Sequence, residues 1–139
     1  MRLMSFSKTT PQFLAGTKLV TRRVKWLHAK VGMQVMGVEK AMGLKPGEQI
    51  VRLRPIKFID VRREPLRRMI DDEEYGRREC ILEGFPPPHE KSVPYHFVRF
   101  FCEFSGLSQD DDVTRIEYRY LDLPQPGELD DAYHTGDGA

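Results

Sequence analysis

The chain has 139 residues, of which 40% are apolar and 10% aromatic, enough material for one packed domain. Its 22 Lys and Arg residues nearly balance 21 Asp and Glu residues, and its two cysteines exclude a disulfide-stapled scaffold. The apolar runs fall far short of the roughly 20 residues that span a bilayer, and the N-terminus lacks the apolar core of a signal peptide. We therefore expect a cytoplasmic domain that makes no contact with a membrane.

The near-zero net charge hides a separation of the two signs along the chain. Residues 1–68 carry a balance of +12, whereas residues 69–139 carry −11. Residues 122–139 contain five acids, no Lys or Arg, and many Gly and Pro residues. We predict a folded domain over 1–121 and an acidic flexible tail over 122–139. The domain without its tail carries +6, which favours a polyanion such as RNA as a partner.

Short β-strands dominate the predicted structure. The alternation of side chains and the enrichment in β-branched residues predict strands over 3–6, 18–24, 31–38, 50–61 and 113–121. A short helix is predicted after the first strand, with Thr10 as its N-cap, Pro11 at its first position and Gly16 as a left-handed stop. Pro55 indicates that the fourth strand lies at an edge of the sheet or is broken in two.

Two main helices are predicted in the second half of the chain. Asp71 with Glu74 resembles a capping box that opens a helix to about Leu82, and the three prolines at 86–88 prevent its continuation. Apolar residues at helical spacing over 95–102 predict the second helix. The pattern as a whole predicts an α+β domain with a small mixed barrel.

The common nucleotide-binding and hydrolase motifs are missing from the sequence. It contains no GxxxxGK[ST], no GxGxxG after a strand, no HExxH and no GxSxG. The spacing of Cys80, His89, His96 and Cys102 matches no common zinc pattern, so we predict neither a metal nor a cofactor. Trp26 follows a basic strand and is a candidate to stack on a base, although tryptophans more often pack in or beside a core.

The stretch GTKLVTRR, residues 16–23, gathers an amine, a hydroxyl and two guanidiniums beside a glycine turn. An ammonium near other cations loses its proton more easily and can serve as a base toward a nearby hydroxyl nucleophile. Guanidiniums can hold a phosphate or an oxyanion. Because positions 18 and 21 of a regular strand point to opposite faces, Lys18 must precede the strand or a bulge must intervene. Basic strands with a threonine are also common as purely structural features, so spacing alone leaves this chemistry a hypothesis.

Four segments together resemble the ASCH domain family: SFSKTTPQFLAGTKLVTRR, VGMQVMGVEK, RREPL and VTRIEYRYL. The resemblance covers nearly all of residues 3–121. Its most specific part is the G-x-K-x-x-T-x-R signature, met by Gly16, Lys18, Thr21 and Arg23. It implies a PUA-like β-barrel with a cleft that faces a nucleic acid or a nucleoside.

The resemblance also implies an activity. Some small members of the family are similar to amidohydrolases that deacylate N4-acetylcytidine with the signature Lys and Thr and a later Glu. Lys18 would take the proton of Thr21, whose oxygen attacks the acyl carbonyl, and Glu83 would orient the amine or protonate the leaving nitrogen. Glu83 is the preferred match for the Glu because it lies at a helix end before Gly-Phe, with Glu79 and Glu74 as alternatives.

Other members of the family look like ribonucleases or RNA-binding modules, and these alternatives stay open. In them the cations would pair with phosphates; we expect Arg22, Arg23, Lys25 and Trp26 to contact RNA or the nucleoside. A longer insertion around 39–49, a long second helix and the acidic tail depart from the smallest deacylating members, which leaves the substrate open between a polymer and a nucleoside. A structural role, in which the tail docks on a basic surface, is a further alternative.

Overall fold

The computed structural model describes residues 1–124, so most of the predicted tail, from residue 125 onward, lies outside the described residues. The described elements are β1 (Arg2–Ser5), α1 (Thr10–Leu14), β2 (Val20–Arg23), β3 (Gln34–Val38), β4 (Arg52–Pro65), α2 (Arg68–Asp71), α3 (Glu73–Leu82), a 3₁₀ turn (Glu90–Ser92), α4 (Pro94–Ser105) and β5 (Asp112–Tyr120). Every predicted strand is present, with its ends shifted by four residues or fewer. Within the described residues, no helix has the length and apolar character that a membrane crossing requires.

The five described strands form one mixed sheet in the order β1-β3-β4-β5-β2. β1 pairs with β3 in parallel, and the other neighbouring strands pair antiparallel. A bulge between Phe58 and Asp60 bends the long β4 against β5, as an extra residue in one strand of a ladder does, and the sheet curls into a half-barrel. Four α-helices within residues 1–124 accompany the sheet, which confirms the predicted α+β class.

Pro55 occupies a central strand, contrary to the prediction that it marks an edge or a break. β4 runs unbroken through it between β3 and β5. The Pro55 carbonyl accepts a hydrogen bond from Leu121 N at 3.0 Å, so its nitrogen also faces the β5 side. The β4–β5 ladder ends one residue away, where Ile56 pairs with Tyr120. The N–H that Pro55 lacks therefore falls just beyond the last pair of the β4–β5 ladder.

Two helices begin one residue away from their predicted caps. Thr9 occupies the N-cap position of α1 without a side-chain hydrogen bond, whereas Thr10 is the first helical residue and its hydroxyl donates to the upstream Phe6 carbonyl at 2.8 Å. Asp72 caps α3, its carboxylate accepting from Tyr75 N at 3.1 Å, whereas Asp71 belongs to α2. The predicted left-handed stop at Gly16 is confirmed by its φ of +76°.

The apolar interior consists of two clusters. The first, around Phe6, Phe13 and Tyr118, lies between α1 and the sheet. The second, around Met69 and Phe97, joins the helices to the ends of β4 and β5. At the start of the predicted tail, Asp122 pairs with Arg54 at 3.0 Å and Leu123 packs on the first cluster. The candidate site lies where the two clusters meet.

Candidate functional site

Lys18 lies two residues before the start of β2, as the strand geometry of the signature requires. Its neighbour Leu19 donates a backbone hydrogen bond to Leu82 O at 2.7 Å, which ties this segment to the end of α3. The Tyr120 hydroxyl donates to the Lys18 carbonyl at 2.5 Å. The backbone of Lys18 is thus fixed by a helix end and by the last strand, and its side chain starts from a defined position.

A glycine lets the end of α3 approach Lys18 closely. Gly84 has a φ of +105°, a conformation that favours glycine, and it directly follows Glu83, the C-cap of α3. A Cβ at Gly84 would lie 2.9 Å from the Gln12 Cβ and 3.4 Å from the Lys18 Cβ. The glycine after Glu83 therefore has a structural cause: a larger residue would strain the backbone and clash with Gln12 of α1.

Lys18 and Glu83 form a buried ion pair. Lys18 Nζ donates to Glu83 Oε1 at 2.7 Å and to the Glu83 carbonyl at 2.9 Å, and both side chains are at most 4% exposed. The other carboxylate oxygen of Glu83 accepts from Arg22 Nη1 at 2.8 Å. Of the three Glu alternatives, the structure brings Glu83 to Lys18, whereas Glu79 lies behind Arg22 and Glu74 is exposed.

The surroundings of Lys18 weaken its hold on a proton. Burial lowers the pKa of the Lys18 ammonium, and the charges of Arg23 and Arg22 lower it further. The contact with Glu83 opposes these effects without cancelling them, so the pKa lies below its ordinary value. This direction suits a lysine that has to act as a base.

Arg22 is bound by the protein's own acids. Its guanidinium donates to Glu83, to Glu79 Oε1 at 2.6 Å, to Glu64 at 3.3 Å and to the Tyr75 hydroxyl at 3.4 Å. Burial alone would lower the pKa of Arg22, but the three carboxylates raise it above its ordinary value. A ligand anion at Arg22 would have to displace one of these carboxylates, so the contacts favour Arg23 for the predicted anion-binding role.

A second arginine, which the sequence analysis did not single out, completes this charged network. Arg115 on β5 binds Glu79 through two hydrogen bonds, Nε to Oε1 at 2.6 Å and Nη2 to Oε2 at 3.0 Å. Burial would raise the pKa of Glu79, but Arg115 and Arg22 together lower it to about 2. The sequence signal for Arg115 was its place in the alternation of β5, on the face opposite Ile116, although nothing in the sequence names its partner.

The Lys18–Glu83 pair lines a cavity of about 240 Å³. One wall is polar and carries Lys18, Thr21, Arg22, Arg23 and Glu83. The facing wall is aromatic, and its rings come from Phe85 and from four residues on one face of α4, namely Phe97, Phe100, Phe101 and Phe104. Charged groups and flat apolar surfaces thus face each other across a space of small-molecule size.

Thr21 and Arg23 lie on the same face of β2 and contact each other. Arg23 Nε donates to the Thr21 hydroxyl oxygen at 3.0 Å, and the Arg23 guanidinium lies 4.8 Å from the centre of the Phe6 ring. Among residues 1–124, no carboxylate lies within ion-pair distance of Arg23. Burial lowers its pKa to about 10, so it stays charged near neutral pH and is open to an anionic ligand.

Lys25 and Trp26, the other predicted contacts, line a second cavity of about 780 Å³. Arg2, His28 and Lys40 also line it, and it shares Ser5, Ser7 and Arg23 with the first cavity. No Asp or Glu from the described part of the chain contributes to its lining. Trp26 stacks on His28 with ring centres 4.9 Å apart and packs its edge against Phe58, so it serves the core and the cavity together.

The part of the chain that the structure describes holds no cluster of three or more His, Cys, Asp or Glu residues arranged to bind a metal. Cys80 is buried in the second apolar cluster, where burial raises the pKa of its thiol to about 12. A thiol in this environment packs as an apolar side chain.

Comparison with solved structures gives likenesses over most of the chain. Protein EF3133 of Enterococcus faecalis V583, of the family DUF984, is 16% identical with a TM-score of 0.54, covering 89% of this chain and 82% of its own. An ASCH domain from Lactobacillus crispatus JV V101 is 14% identical with a TM-score of 0.49, covering 86% of this chain and 78% of its own. No family model and no curated protein matches the sequence.

At these identities the likenesses concern the fold alone. The fold of this chain is shared by protein EF3133 over most of both chains. Neither structure says what this chain binds or whether it catalyses a reaction. What the chain binds, and whether it is an enzyme, has to be inferred from the residues that line the two cavities.

Proposed function

We propose that this protein hydrolyses the N4-acyl amide of a modified cytidine bound in the smaller cavity. The observation that carries the proposal is the buried Lys18–Glu83 pair, which shares one wall of that cavity with Thr21. Small-molecule sites usually measure about 300–1,000 Å³, so a space of about 240 Å³ suits a single base with its acyl group. The aromatic wall offers a flat base the offset stacking that aromatic rings favour.

In the first step, the neutral amine of Lys18 takes the proton of the Thr21 hydroxyl. The Thr21 oxygen then forms a bond to the acyl carbon, and the carbonyl electron pair moves onto the acyl oxygen. Arg23 is placed to stabilise the oxyanion, since it already contacts Thr21 and has no carboxylate partner within the described residues. Lys18 Nζ now donates to Glu83, so it must turn toward Thr21 when substrate binds, because catalytic hydrogen bonds often form only in the complex.

In the second step, the bond between the acyl carbon and N4 breaks. The proton held by Lys18 reaches N4 either directly or through Glu83, whose Oε1 lies 2.7 Å from Lys18 Nζ, and cytidine leaves. Water then attacks the acyl-threonine ester with Lys18 as base, which releases the carboxylic acid and restores the hydroxyl. Lys18 thus serves as the base in both halves of the reaction, and its contact with Glu83 offers the proton a path to N4.

The test follows release of cytidine from N4-acetylcytidine by chromatography. Lys18→Ala and Glu83→Gln should each lower kcat/KM by about 10²–10⁴-fold, the usual contribution of a positioned proton-transfer group. Lys30→Ala is the matched control, because Lys30 is exposed and lines neither cavity. Circular dichroism checks that each variant is folded. Absence of release by the wild-type protein, or full activity in both site variants, would contradict the proposal.

A second candidate function, RNA binding or metal-independent RNA cleavage, is supported by the larger cavity. Its cations have no acidic neighbour in the lining, and it joins the first cavity at Arg23. Affinity for single-stranded RNA should then fall with salt, with a slope of about 0.7 log units per phosphate contact. A cleaving enzyme would cut RNA in the presence of a chelator, and Lys18→Ala would not. Binding without salt dependence would contradict a polymer ligand.

A further inference from the structure

A chain of buried ion pairs connects β5 to the candidate site. Arg115 binds Glu79 through two hydrogen bonds, Glu79 binds Arg22 at 2.6 Å, Arg22 binds Glu83 at 2.8 Å, and Glu83 binds Lys18 at 2.7 Å. Each member belongs to a different stretch of the fold from its neighbours: β5, α3, β2, the end of α3 and the segment before β2. The chain therefore spans the gap between the sheet and the helix.

The members of this chain are shielded from water. All five side chains are at most 4% exposed. Water cannot replace a partner that is removed, so the loss of one charge leaves its neighbours uncompensated. The two terminal nitrogens of the Arg22 guanidinium bind different partners: Nη1 donates to Glu83, whereas Nη2 donates to Glu79. The position of Glu83 consequently depends on how Glu79 holds Arg22.

We propose that Glu79 is a positioning residue of the candidate site: acting through Arg22, it fixes the orientation in which Glu83 presents one oxygen to Lys18. Its catalytic consequence rests on the function proposed above, but the geometric claim does not. Glu79 makes no contact with Lys18 and does not line the cavity, so its effect has to pass through Arg22.

Several elements set the charge around Lys18. Glu83 faces its ammonium from the end of α3, and Arg22 and Arg23 act on it from β2, while the α4 wall of the cavity contributes only aromatic rings. The Tyr120 hydroxyl on β5 contacts the Lys18 backbone carbonyl. If Arg22 loses Glu79, it draws Glu83 toward itself, and the contact between Glu83 and Lys18 weakens. Lys18 then loses its proton at a lower pH.

The experiment titrates the Lys18 side chain in the full chain by NMR, with ¹³C-labelled lysine and with Lys18→Arg to assign the signal. Glu79→Gln should lower the titration midpoint of Lys18 by about one pH unit. Glu64→Gln is the matched control, because Glu64 is also a buried carboxylate on Arg22, but at 3.3 Å and anchored mainly by Tyr75 and Arg62. It should shift the midpoint less than half as far. An unchanged midpoint in folded Glu79→Gln would overturn the proposal.

A charge-preserving variant separates positioning from simple electrostatics. Glu79→Asp keeps the negative charge but is one methylene too short to bind Arg22 and Arg115 together. If Glu79 acts by positioning, the titration midpoint of Lys18 should be lowered in this variant also. A midpoint equal to that of wild type would mean that only the charge of Glu79 matters, and would refute the proposal. If Glu79→Gln does not fold, the titration of Lys18 in Glu79→Asp tests the proposal in its place. A wild-type protein that hydrolyses no N4-acetylcytidine would reject the proposed function and leave the titration result intact.

If the protein is an amidohydrolase, both Glu79 variants should also alter the pH profile. The acid limb of kcat/KM, which follows deprotonation of Lys18, should move to lower pH together with the NMR midpoint. Because Glu83 is displaced from Lys18, the variants should also lose activity at the pH optimum; this loss should fall on kcat, with KM within about threefold of wild type, because Glu79 does not line the cavity. A rise in KM alone would point to a distorted cavity and would count against positioning.

Discussion

The two cavities meet at Arg23, Ser5 and Ser7, yet they are built in opposite ways. In the smaller cavity the acid is buried and paired, Glu83 with Lys18 and Arg22, and the facing wall is aromatic. In the larger cavity the cations belong to exposed or half-exposed side chains, and no described Asp or Glu accompanies them. One cavity fixes its charges in place, and the other presents them to the solvent.

This difference separates two tasks. Proton transfer needs groups held within hydrogen-bond reach in a dry environment, where their mutual interactions are strong. Attraction of a polyanion needs unpaired positive charge at the surface, where geometry matters little and salt screens the effect. We therefore propose that catalysis belongs to the smaller cavity and capture of a phosphate-bearing chain to the larger one. Three further experiments test this proposal.

The largest effect is expected from the Thr21 hydroxyl. Thr21→Val keeps the shape of the side chain but removes the nucleophile, so kcat/KM for N4-acetylcytidine should fall by about 10³-fold. Thr21→Ser, which retains a hydroxyl, should remain within about tenfold of wild type. RNA binding in the larger cavity should be unaltered in both variants, since Thr21 does not line it. Full hydrolysis by the valine variant would remove Thr21 from the mechanism and move the attack to water.

Much of the smaller cavity's polar wall could be predicted from local sequence. The glycine turn at Gly16, the need for Lys18 to precede its strand, and the helix end at Glu83 all follow from residues close in sequence. Backbone preferences act over a few residues, so such features can be read without knowing the fold. The resemblance to the ASCH family then supplied the pairing of Lys18 with a later Glu.

The network behind that wall could not be predicted in the same way. Arg22 meets Glu79 across 57 positions, and Arg115 meets the same Glu across 36, so their pairing depends on how β2, β5 and α3 pack. A sequence shows a buried arginine only as one more charge in a strand. The prediction for Pro55 was wrong for a related reason. The place of Pro55 in the sheet depends on where the β4–β5 ladder ends, and no local sequence signal gives that position.

The second-largest effect is expected on the stability of the fold at acid pH, through the buried carboxylate of Glu79. The pKa of Glu79 lies at about 2 in the folded protein against an ordinary value of 4.5. Between these values the unfolded chain binds a proton that the folded protein does not, so Glu79 stabilises the fold fully above pH 4.5 and loses this contribution as the pH falls toward 2. The shift corresponds to roughly 3 kcal/mol.

Urea unfolding followed by circular dichroism at pH 7, 4.5 and 2.5 measures this contribution. The free energy of unfolding of Glu79→Gln should be lower than that of wild type at pH 7, and the two should converge as the pH falls. A variant at an exposed acid of the same helix, Glu73→Gln, should stay within about 0.5 kcal/mol of the wild-type curve, because its ion pair with Arg77 lies at the surface. Parallel curves for Glu79→Gln and wild type would show that Glu79 is not held as an anion by its two arginines.

The smallest effect is expected on RNA affinity, from a substitution that changes the larger cavity alone. Lys25 is exposed, and its carbonyl accepts the Thr114 hydroxyl at 2.5 Å, so its loop stays anchored when the side chain changes. Lys25→Gln should weaken binding of single-stranded RNA a few-fold and reduce the salt slope by about 0.7, the value for one phosphate contact. Hydrolysis of free N4-acetylcytidine should not change, because Lys25 does not line the smaller cavity. Lys30→Gln, an equal loss of charge outside both cavities, should leave the slope at its wild-type value. If the two variants weaken RNA binding equally, only the overall charge of the domain attracts RNA, and the larger cavity is not the site that holds it.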